Sequence, residues 1–389
     1  MKYWRGYLTA FIFAAITWGL VQLGQNFSEL VDMIYPYVIR TAQNMLADWS
    51  GSVDFVVWQV LLLALLVVGL AGIVLMIILK WNPFQCFGWV LAAASCIYML
   101  HTLVFGLNYF AGPIHEDIRL EMVSYNVEEL TEAAEYYRDQ ANALAGEVDR
   151  DQAGNVDFAD FETLAQQAES GFHSLVYDHS YPIFAGSTLP VKELHWADLF
   201  TKYGVTGITV GLTGESAVNP MIPDICLPFS MSHEMAHRMC IAGEEDANFA
   251  AFMAGTVNES KEYQYSAWFF AYRYCYYALL NANTAETSTA AARVSAGVST
   301  ELAKDLNYYN NYFASGSDLS GTAATDDTSL FGRMTDMLVC WHIQHIVLPS
   351  LTVEELPFDP YDTAQVDLSG NVNARPEETV PPTTEGAVG

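Results

Sequence analysis

Three long apolar runs dominate the first hundred residues of the chain. They cover residues 7–24, 55–79 and 84–107, and the second is interrupted only by Gln59. About 20 apolar residues in helical conformation span the hydrocarbon layer of a bilayer, so each run is long enough to cross it. The pattern predicts three transmembrane helices in a multi-pass protein of the cell membrane, with the lipid bilayer as a partner.

The remainder of the chain carries helical patterns and one short strand pattern. Apolar residues at helical spacing predict helices over residues 116–148 and 158–176, and residues 262–280 form an aromatic-rich helix packed on several sides. Residues 205–212 are β-branched and punctuated by glycine, which predicts a strand. Pro, Thr and acidic residues beyond position 357 predict disorder. We therefore divide the chain into a membrane domain (1–109), a folded domain (110–356) and a disordered tail (357–389).

Charge is distributed as unevenly as the apolar residues. The net charge is −29, yet residues 1–109 hold four basic and four acidic side chains, so the whole excess lies beyond them. Nucleic acid repels such an acidic domain, which excludes it as a partner. The positive-inside rule places Lys2, Arg5 and Lys80 in the cytoplasm, and three crossings then leave the folded domain outside the cell membrane. Arg40 opposes this orientation weakly, since it would lie in the outer loop.

The clearest candidate chemistry is an H-E-x-x-H pattern at residues 233–237. On a helix, His233 and His237 project from one face, so their neutral imidazoles can share a Zn²⁺ ion. Glu234 would then act as general base for a zinc-activated water. The six cysteines include no C-x-x-C spacing and are not expected to bind the metal.

A third zinc ligand is expected from the acidic stretch that follows. Gly243 allows a turn, so a second helix beginning at Glu244, Glu245 and Asp246 can fold back toward the histidines. Helical neighbours differ by about 100° in direction, so only one of the three acids can point at the metal. We favour Glu244, because Asn248 lies one turn later on its face, where the amide can orient a ligating histidine. The competing interpretation makes these acids a solvated helix N-terminus that complements the helix dipole.

The order of the motifs resembles that of a bacterial family of polytopic membrane proteins of unknown function, interpreted as gluzincin-type zinc metallopeptidases. The similar stretches are 105–109 (F-G-L-N-Y), 213–219 (T-G-E-S-A-V-N), 227–229 (L-P-F), 233–237, 244–249 and 332–338. Together they extend over residues 84–345. Cys240, Gly243 and Phe331 depart from the family, which usually has Gly, Arg and Tyr at these positions.

The resemblance implies a mostly α fold, in which transmembrane helices precede an α-rich zincin-like (α+β) catalytic domain with a small sheet. In gluzincin-like proteases a strand borders the cleft and pairs with extended substrate, which would place Ile208 and Leu212 in the cleft. An ordinary core strand is the competing interpretation. The family pattern also implies that Glu215 and Asn219 shape the cleft floor without taking part in catalysis.

These features together predict a membrane-anchored zinc metalloendopeptidase that acts on a peptide or protein substrate. Charged residues around the motif exclude an intramembrane protease, because an apolar span does not hold so many of them. The alternative is a zinc-binding membrane sensor or interaction module without catalysis. Glu234 argues against the alternative, since a module that only binds metal has no need of a base.

Overall fold

The computed structural model describes residues 2–315 and 328–350, and its first part consists of long helices. After a short 3-10 turn (Lys2–Trp4), these are α1 (Arg5–Asn26), α2 (Ser28–Ile34), a π-helical turn (Tyr35–Ile39), α3 (Arg40–Gly51), α4 (Val57–Ile78) and α5 (Pro83–Val104). Three of them, α1, α4 and α5, have 22 residues each and are long and apolar enough to cross a membrane. They coincide with the three predicted apolar runs.

Helices α1 and α5 pack side by side and run in the same direction. Near their N-termini the two backbones touch, because a Cβ atom on Gly6 would lie 2.5 Å from the carbonyl carbon of Gly88. Toward their C-termini Gly24 lies against the ring of Phe110. By contrast, no part of the apolar stretch of α4 is buried against protein. The circumference of α4 is therefore exposed along this stretch.

The rest of the described chain is a helical domain with one small sheet. Its helices are α6 (Ile114–Asp117), α7 (Val127–Ala145), α8 (Phe161–Tyr177), α9 (Ala197–Lys202), α10 (Leu227–Arg238), α11 (Glu244–Thr256), α12 (Lys261–Ala282), α13 (Ala285–Ala296), α14 (Thr300–Ser315), α15 (Thr328–His342) and α16 (Leu348–Ser350). Short turns at Gly106–Phe110, Pro182–Phe184, Asp224–Cys226 and Ile343–Val347 join them. Residues 116–148, predicted to form one or two helices, contain the end of α6 and all of α7, and the Asn126 side chain caps α7 at the backbone N–H of Glu129. The predicted disordered tail, 357–389, lies outside the described residues.

The aromatic helix α12 forms the centre of the core, as its sequence predicted. It packs against α7, α11, α13, α15 and α10. Trp268 meets the ring of Tyr137 at 5.9 Å and that of Phe252 at 5.5 Å. Buried tyrosines keep a polar partner, as the hydroxyl of Tyr263 does by donating to the carbonyl of Leu164 at 2.7 Å. These tyrosines are therefore part of the packed core.

The sheet has three strands in the order β1-β3-β2. They are β1 (Lys192–Glu193), β2 (Gly207–Val210) and β3 (Glu215–Val218), with β1 parallel and β2 antiparallel to β3. The strand is shorter than the predicted 205–212, because the carbonyl of Val210 accepts hydrogen bonds from Thr213 and Gly214 and closes a turn. Leu212 therefore lies in the turn, and β2 is an edge strand.

A buried carboxylate ties the sheet to the start of α4. Glu215 on β3 accepts hydrogen bonds from the backbone N–H groups of Val57 and Trp58, at 2.8 and 2.9 Å. Lys192 on β1 pairs with the same carboxylate at 2.8 Å. The charge thus satisfies two free N–H groups of the helix and complements its dipole.

We expect Glu215→Gln to destabilise the protein by about 3–5 kcal/mol, because it leaves the Lys192 ammonium without its buried counter-charge. The measurement is the midpoint of denaturant-induced unfolding of the full chain in detergent micelles. Glu193→Gln, which changes an exposed carboxyl on the adjacent strand β1, is the control and should leave the midpoint unchanged. Equal midpoints for both variants would contradict a stabilising role for Glu215.

Candidate metal centre

The site begins with a tight reversal of the chain between α10 and α11. The backbone N–H of Cys240 bonds to the carbonyl of His237 at 3.0 Å, and that of Ile241 bonds to the carbonyl of Ala236 at 3.1 Å. These two bonds form a Schellman motif, and Cys240 occupies its left-handed position with φ of 68°. Glycine is favoured there, which explains why the family usually has glycine at this position. The reversal folds α11 back against α10.

The reversal brings the carboxylate of Glu244 to the two histidines of α10. Its Oε2 lies 3.3 Å from Nε2 of His233, and its Oε1 lies 3.6 Å from Nε2 of His237. The two imidazole rings are 4.5 Å apart and nearly perpendicular. Within the described residues, these three side chains form the one group with the spacing of metal ligands. The prediction that Glu244, His233 and His237 converge is thus met in geometry.

A backbone carbonyl, and not Asn248, orients the second histidine. Nδ1 of His237 donates to the carbonyl of Ile241 at 2.8 Å, which turns Nε2 toward Glu244. Nδ1 of His233 is buried without a hydrogen-bond partner in the part of the chain that the structure describes. Asn248 forms no hydrogen bond to either imidazole among those residues, which corrects the orienting role predicted for it. The Schellman motif supplies that role, because it turns the carbonyl of Ile241 toward the ring.

The acids at the start of α11 point to different partners. Hydrogen bonds from His233 and His237 hold the pKa of Glu244 well below its usual range. Asp246 instead pairs with Arg333 on α15 at 3.0 Å. Burial raises the pKa of Glu245 to about 7, even though Arg333 lies 4.0 Å away. Only Glu244 of the three faces the histidines, as the angular argument predicted.

The histidine pair is also coupled electrostatically to its surroundings. Burial by itself lowers the pKa of His237, but the hydrogen bond to Glu244 and the charges of Glu234 and Glu244 outweigh burial, and the pKa is raised. The site therefore attracts positive charge. A proton or a metal cation satisfies the same electrostatic demand.

The candidate base, Glu234, is buried between α10 and the edge strand. The Thr209 hydroxyl donates to its Oε2 at 2.6 Å, and the Ser216 hydroxyl donates to its backbone carbonyl at 2.8 Å. A Cβ atom at Gly207 would lie 2.5 Å from Oε1 of Glu234, so glycine makes room for the carboxylate. Sequence reasoning missed Thr209 and Ser216, because a lone hydroxyl on a strand has no sequence signature.

The face of β2 that carries Gly207 and the Thr209 side chain contacts this carboxylate. The backbone N–H of Asn219 bonds to the carbonyl of Thr206, which fixes the alternation of the ladder. In the observed register the backbone N–H and C=O groups of Ile208 and Val210 point toward β3. Those of Gly207 and Thr209 point away from the sheet, to its outer edge. Ile208 thus lies on an edge strand with its own backbone groups paired to β3, and its place in a cleft stays a prediction. The far end of the edge is closed where Gln43 donates to the carbonyl of Gly211 at 2.9 Å.

Glu215 and Asn219 do not line a cleft, which corrects the role that the resemblance implied. Glu215 is buried at the start of α4. Asn219 is buried and donates to the Thr201 hydroxyl at 2.9 Å and to the Val205 carbonyl at 3.1 Å. Leu212 lies in the turn after β2 and is likewise not part of the edge. These three residues hold the sheet in place behind the site.

The segment that follows α5 contributes side chains to the site. The ring of Phe105 lies 6.3 Å from that of His237, and Asn108 donates from its amide to the carbonyl of Cys240. Tyr109 is exposed, and its pKa is raised by burial of its hydroxyl and by the charges of Glu244 and Glu234. The F-G-L-N-Y motif was the available signal for these residues, although the sequence did not connect it to the histidines.

Fold and site together define a class of protein: a mostly helical chain with three membrane-length helices, whose helical domain carries a candidate metal centre beside a small sheet. Within that class, the chain belongs to the family described as "Protein of unknown function (DUF3810)", whose family model matches residues 31–324. Membership in a family of unknown function confirms that part of the predicted resemblance. No curated protein and no solved structure matches the chain.

Proposed function

We propose that this protein is a membrane-anchored, zinc-dependent metalloendopeptidase with a zincin-like catalytic domain. The observation that carries the proposal is the convergence of His233, His237 and Glu244. Ligand atoms about 2.0–2.1 Å from zinc at the tetrahedral angle lie about 3.3 Å apart. The nitrogen–oxygen distances of 3.3 and 3.6 Å fit that spacing. The hydrogen bond from Nδ1 of His237 to the Ile241 carbonyl fits a zinc ligand as well, because it leaves Nε2 as the nitrogen that would bind the metal.

The residues around the triad fit peptide hydrolysis. Zinc would acidify the attacking water and polarise the scissile carbonyl. Glu234 accepts the proton of that water and delivers it to the leaving amine, and the Thr209 hydroxyl keeps the carboxylate in position. Tyr109 is our candidate for the donor to the developing oxyanion, because its ring packs on Phe105 at 5.9 Å and Phe105 in turn packs on His237 at 6.3 Å. The outer edge of β2 would pair with an extended peptide substrate.

We predict one zinc ion per chain, lost in His233→Ala, His237→Ala and Glu244→Ala. Removing Glu244 should weaken zinc binding by more than the roughly 10- to 100-fold that loss of an outer hydrogen-bond partner costs. Glu245→Ala is the matched control, because its neighbouring carboxyl faces Arg333 and not the histidines. Zinc titration of the purified full chain measures the ranking. Full zinc occupancy in both histidine variants would show that the metal binds elsewhere. A larger loss of zinc affinity in Glu245→Ala than in Glu244→Ala would assign Glu245 as the ligand.

Glu234→Gln should abolish cleavage of an unstructured protein while zinc remains bound, because the amide cannot accept a proton. The measurement pairs metal analysis with peptide-library profiling of the full chain in detergent. Glu245→Gln again serves as the control and should cleave normally. A wild-type chain that binds zinc but cleaves nothing across a broad library would favour the alternative, a catalytically silent sensor or interaction module.

The helix directions support a multi-pass protein of the cell membrane with its catalytic domain outside. α1 and α5 run in parallel toward the domain, and α4 begins at the domain, where Glu215 caps it. Arg5 and Lys80 lie at the ends remote from the domain, the cytoplasmic side by the positive-inside rule. We expect a cysteine placed within residues 370–389 to react with a membrane-impermeant maleimide on intact cells. Lys80→Cys is the control and should react only after lysis; the opposite pattern would invert the topology.

A further inference from the structure

The segment between α1 and α4 lies along the catalytic domain and binds it through one face. Arg40 is buried and donates to the carbonyls of Pro182 and Ile183 at 2.9 Å each. One turn further on, the Asn44 side chain accepts a hydrogen bond from the backbone N–H of Ser187 at 2.9 Å. Polar side chains on this face are thus used within the protein. The segment is a fixed part of the domain surface and not a free loop.

The opposite face of the same segment is apolar and exposed. Tyr37, Val38, Met45 and Trp49 are 74, 61, 67 and 60% exposed. Tyr37, Met45 and Trp49 are separated by multiples of four residues, so their side chains lie along one side of the helix, and Val38 adjoins Tyr37. We name these four residues the α3 stripe. Its aromatic residues are the types enriched at membrane–water interfaces.

A second exposed apolar patch lies on α9, beside the first turn of α4. Trp196, Leu199 and Tyr203 are 46, 49 and 62% exposed. Gln59 of α4 exchanges two hydrogen bonds with the backbone of His195, at 2.7 and 3.0 Å. These bonds fix the α9 patch at the level where α4 begins.

Both surfaces adjoin the points where membrane-length helices begin or end. The α3 stripe lies between the end of α1 and the start of α4, and the α9 patch is bonded to the start of α4. Such continuity with the apolar helices identifies the occupant as lipid. Charge supports a zwitterionic surface: Arg40 and Lys192 are engaged by protein oxygens, and the exposed Lys202 of α9 is offset by the exposed Asp198 of the same helix.

We propose that the α3 stripe and the α9 patch form an interfacial docking surface that seats the catalytic domain on the bilayer. The proposal rests on the proposed membrane crossing of α1, α4 and α5. Amphipathic helices of this kind bury their apolar face about 5–10 Å into the boundary between headgroups and acyl chains. Burial of apolar area drives the docking, so anionic lipid is not required.

Docking at this depth determines which peptide bonds the site reaches. Phe105 directly follows the last residue of α5 and packs on His237 at 6.3 Å between ring centroids. The candidate metal centre is therefore separated from the end of α5, where that helix would leave the membrane, by the length of one side chain, that of Phe105. The substrate class that fits is a chain segment that emerges from, or lies on, the membrane surface.

The test uses the full chain in nanodiscs of phosphatidylcholine, with a nitroxide attached to Met45→Cys, Trp49→Cys or Leu199→Cys. Leu280→Cys is the control, because Leu280 is an exposed apolar residue on α12, which packs against α7 and α13. Wild-type chain treated identically gives the background from native cysteines. We expect labels at 45, 49 and 199 to be accessible to oxygen and protected from a water-soluble nickel chelate, with the reverse at 280. Replacing about one third of the phosphatidylcholine with anionic phosphatidylglycerol should not change the result.

Each other outcome overturns the proposal. Free access of the nickel chelate at 45, 49 and 199 would mean that the surface faces water. Low accessibility to both reagents would mean that protein covers it, either a second copy or the C-terminal part of this chain. A chain that does not enter nanodiscs would overturn the membrane crossing itself, so the two failures are distinguishable. Three independent label positions protect the test against one variant that does not fold.

Discussion

The candidate site depends on one backbone reversal, the Schellman motif at the end of α10. It places a non-glycine residue, Cys240, in a left-handed conformation with φ of 68°, which costs roughly 1–2 kcal/mol. Two interactions follow from the reversal: the Ile241 carbonyl meets Nδ1 of His237, and Glu244 meets both Nε2 atoms. The amide of Asn108 holds the carbonyl of Cys240 from outside. A shift in this turn would therefore change the orientation of the histidine and the position of the acid together.

The sheet is small, but its central strand connects the two halves of the molecule. Adjacent strand residues point to opposite sides. Glu215 accordingly reaches the start of α4, and Ser216 reaches the carbonyl of Glu234. The first contact involves a membrane-length helix and the second involves the candidate base. Two adjacent residues of β3 therefore contact the start of α4 and the candidate base. A movement of either one along the sheet would displace the other.

Burial determines how the many acids of this domain behave. With a net charge of −29, most carboxylates gain nothing from folding, and water solvates them. Three of the others have specific partners. Glu215 has Lys192 and two N–H groups, Asp246 has Arg333, and Glu244 has the histidine pair. Glu245 has a buried oxygen without a partner in the described residues, and its pKa of about 7 expresses that cost.

Local periodicity determined what the sequence by itself established. Apolar runs gave the three membrane-length helices, a spacing of four placed His233 and His237 on one face, and the angle between helical neighbours favoured Glu244 over Glu245. Only the tertiary structure decided the partners that lie far apart in sequence. Glu215 meets Val57 across 158 positions, so no local pattern could have distinguished its capping role from a place in a cleft. The partner of His237 is the Ile241 carbonyl and not the predicted Asn248 amide. The direction of the backbone, and not the type of residue, decides which carbonyl faces the ring. The same holds for Thr209 and for the α3 stripe: whether a hydroxyl meets a carboxylate, or an apolar face stays uncovered, depends on how separate elements pack together.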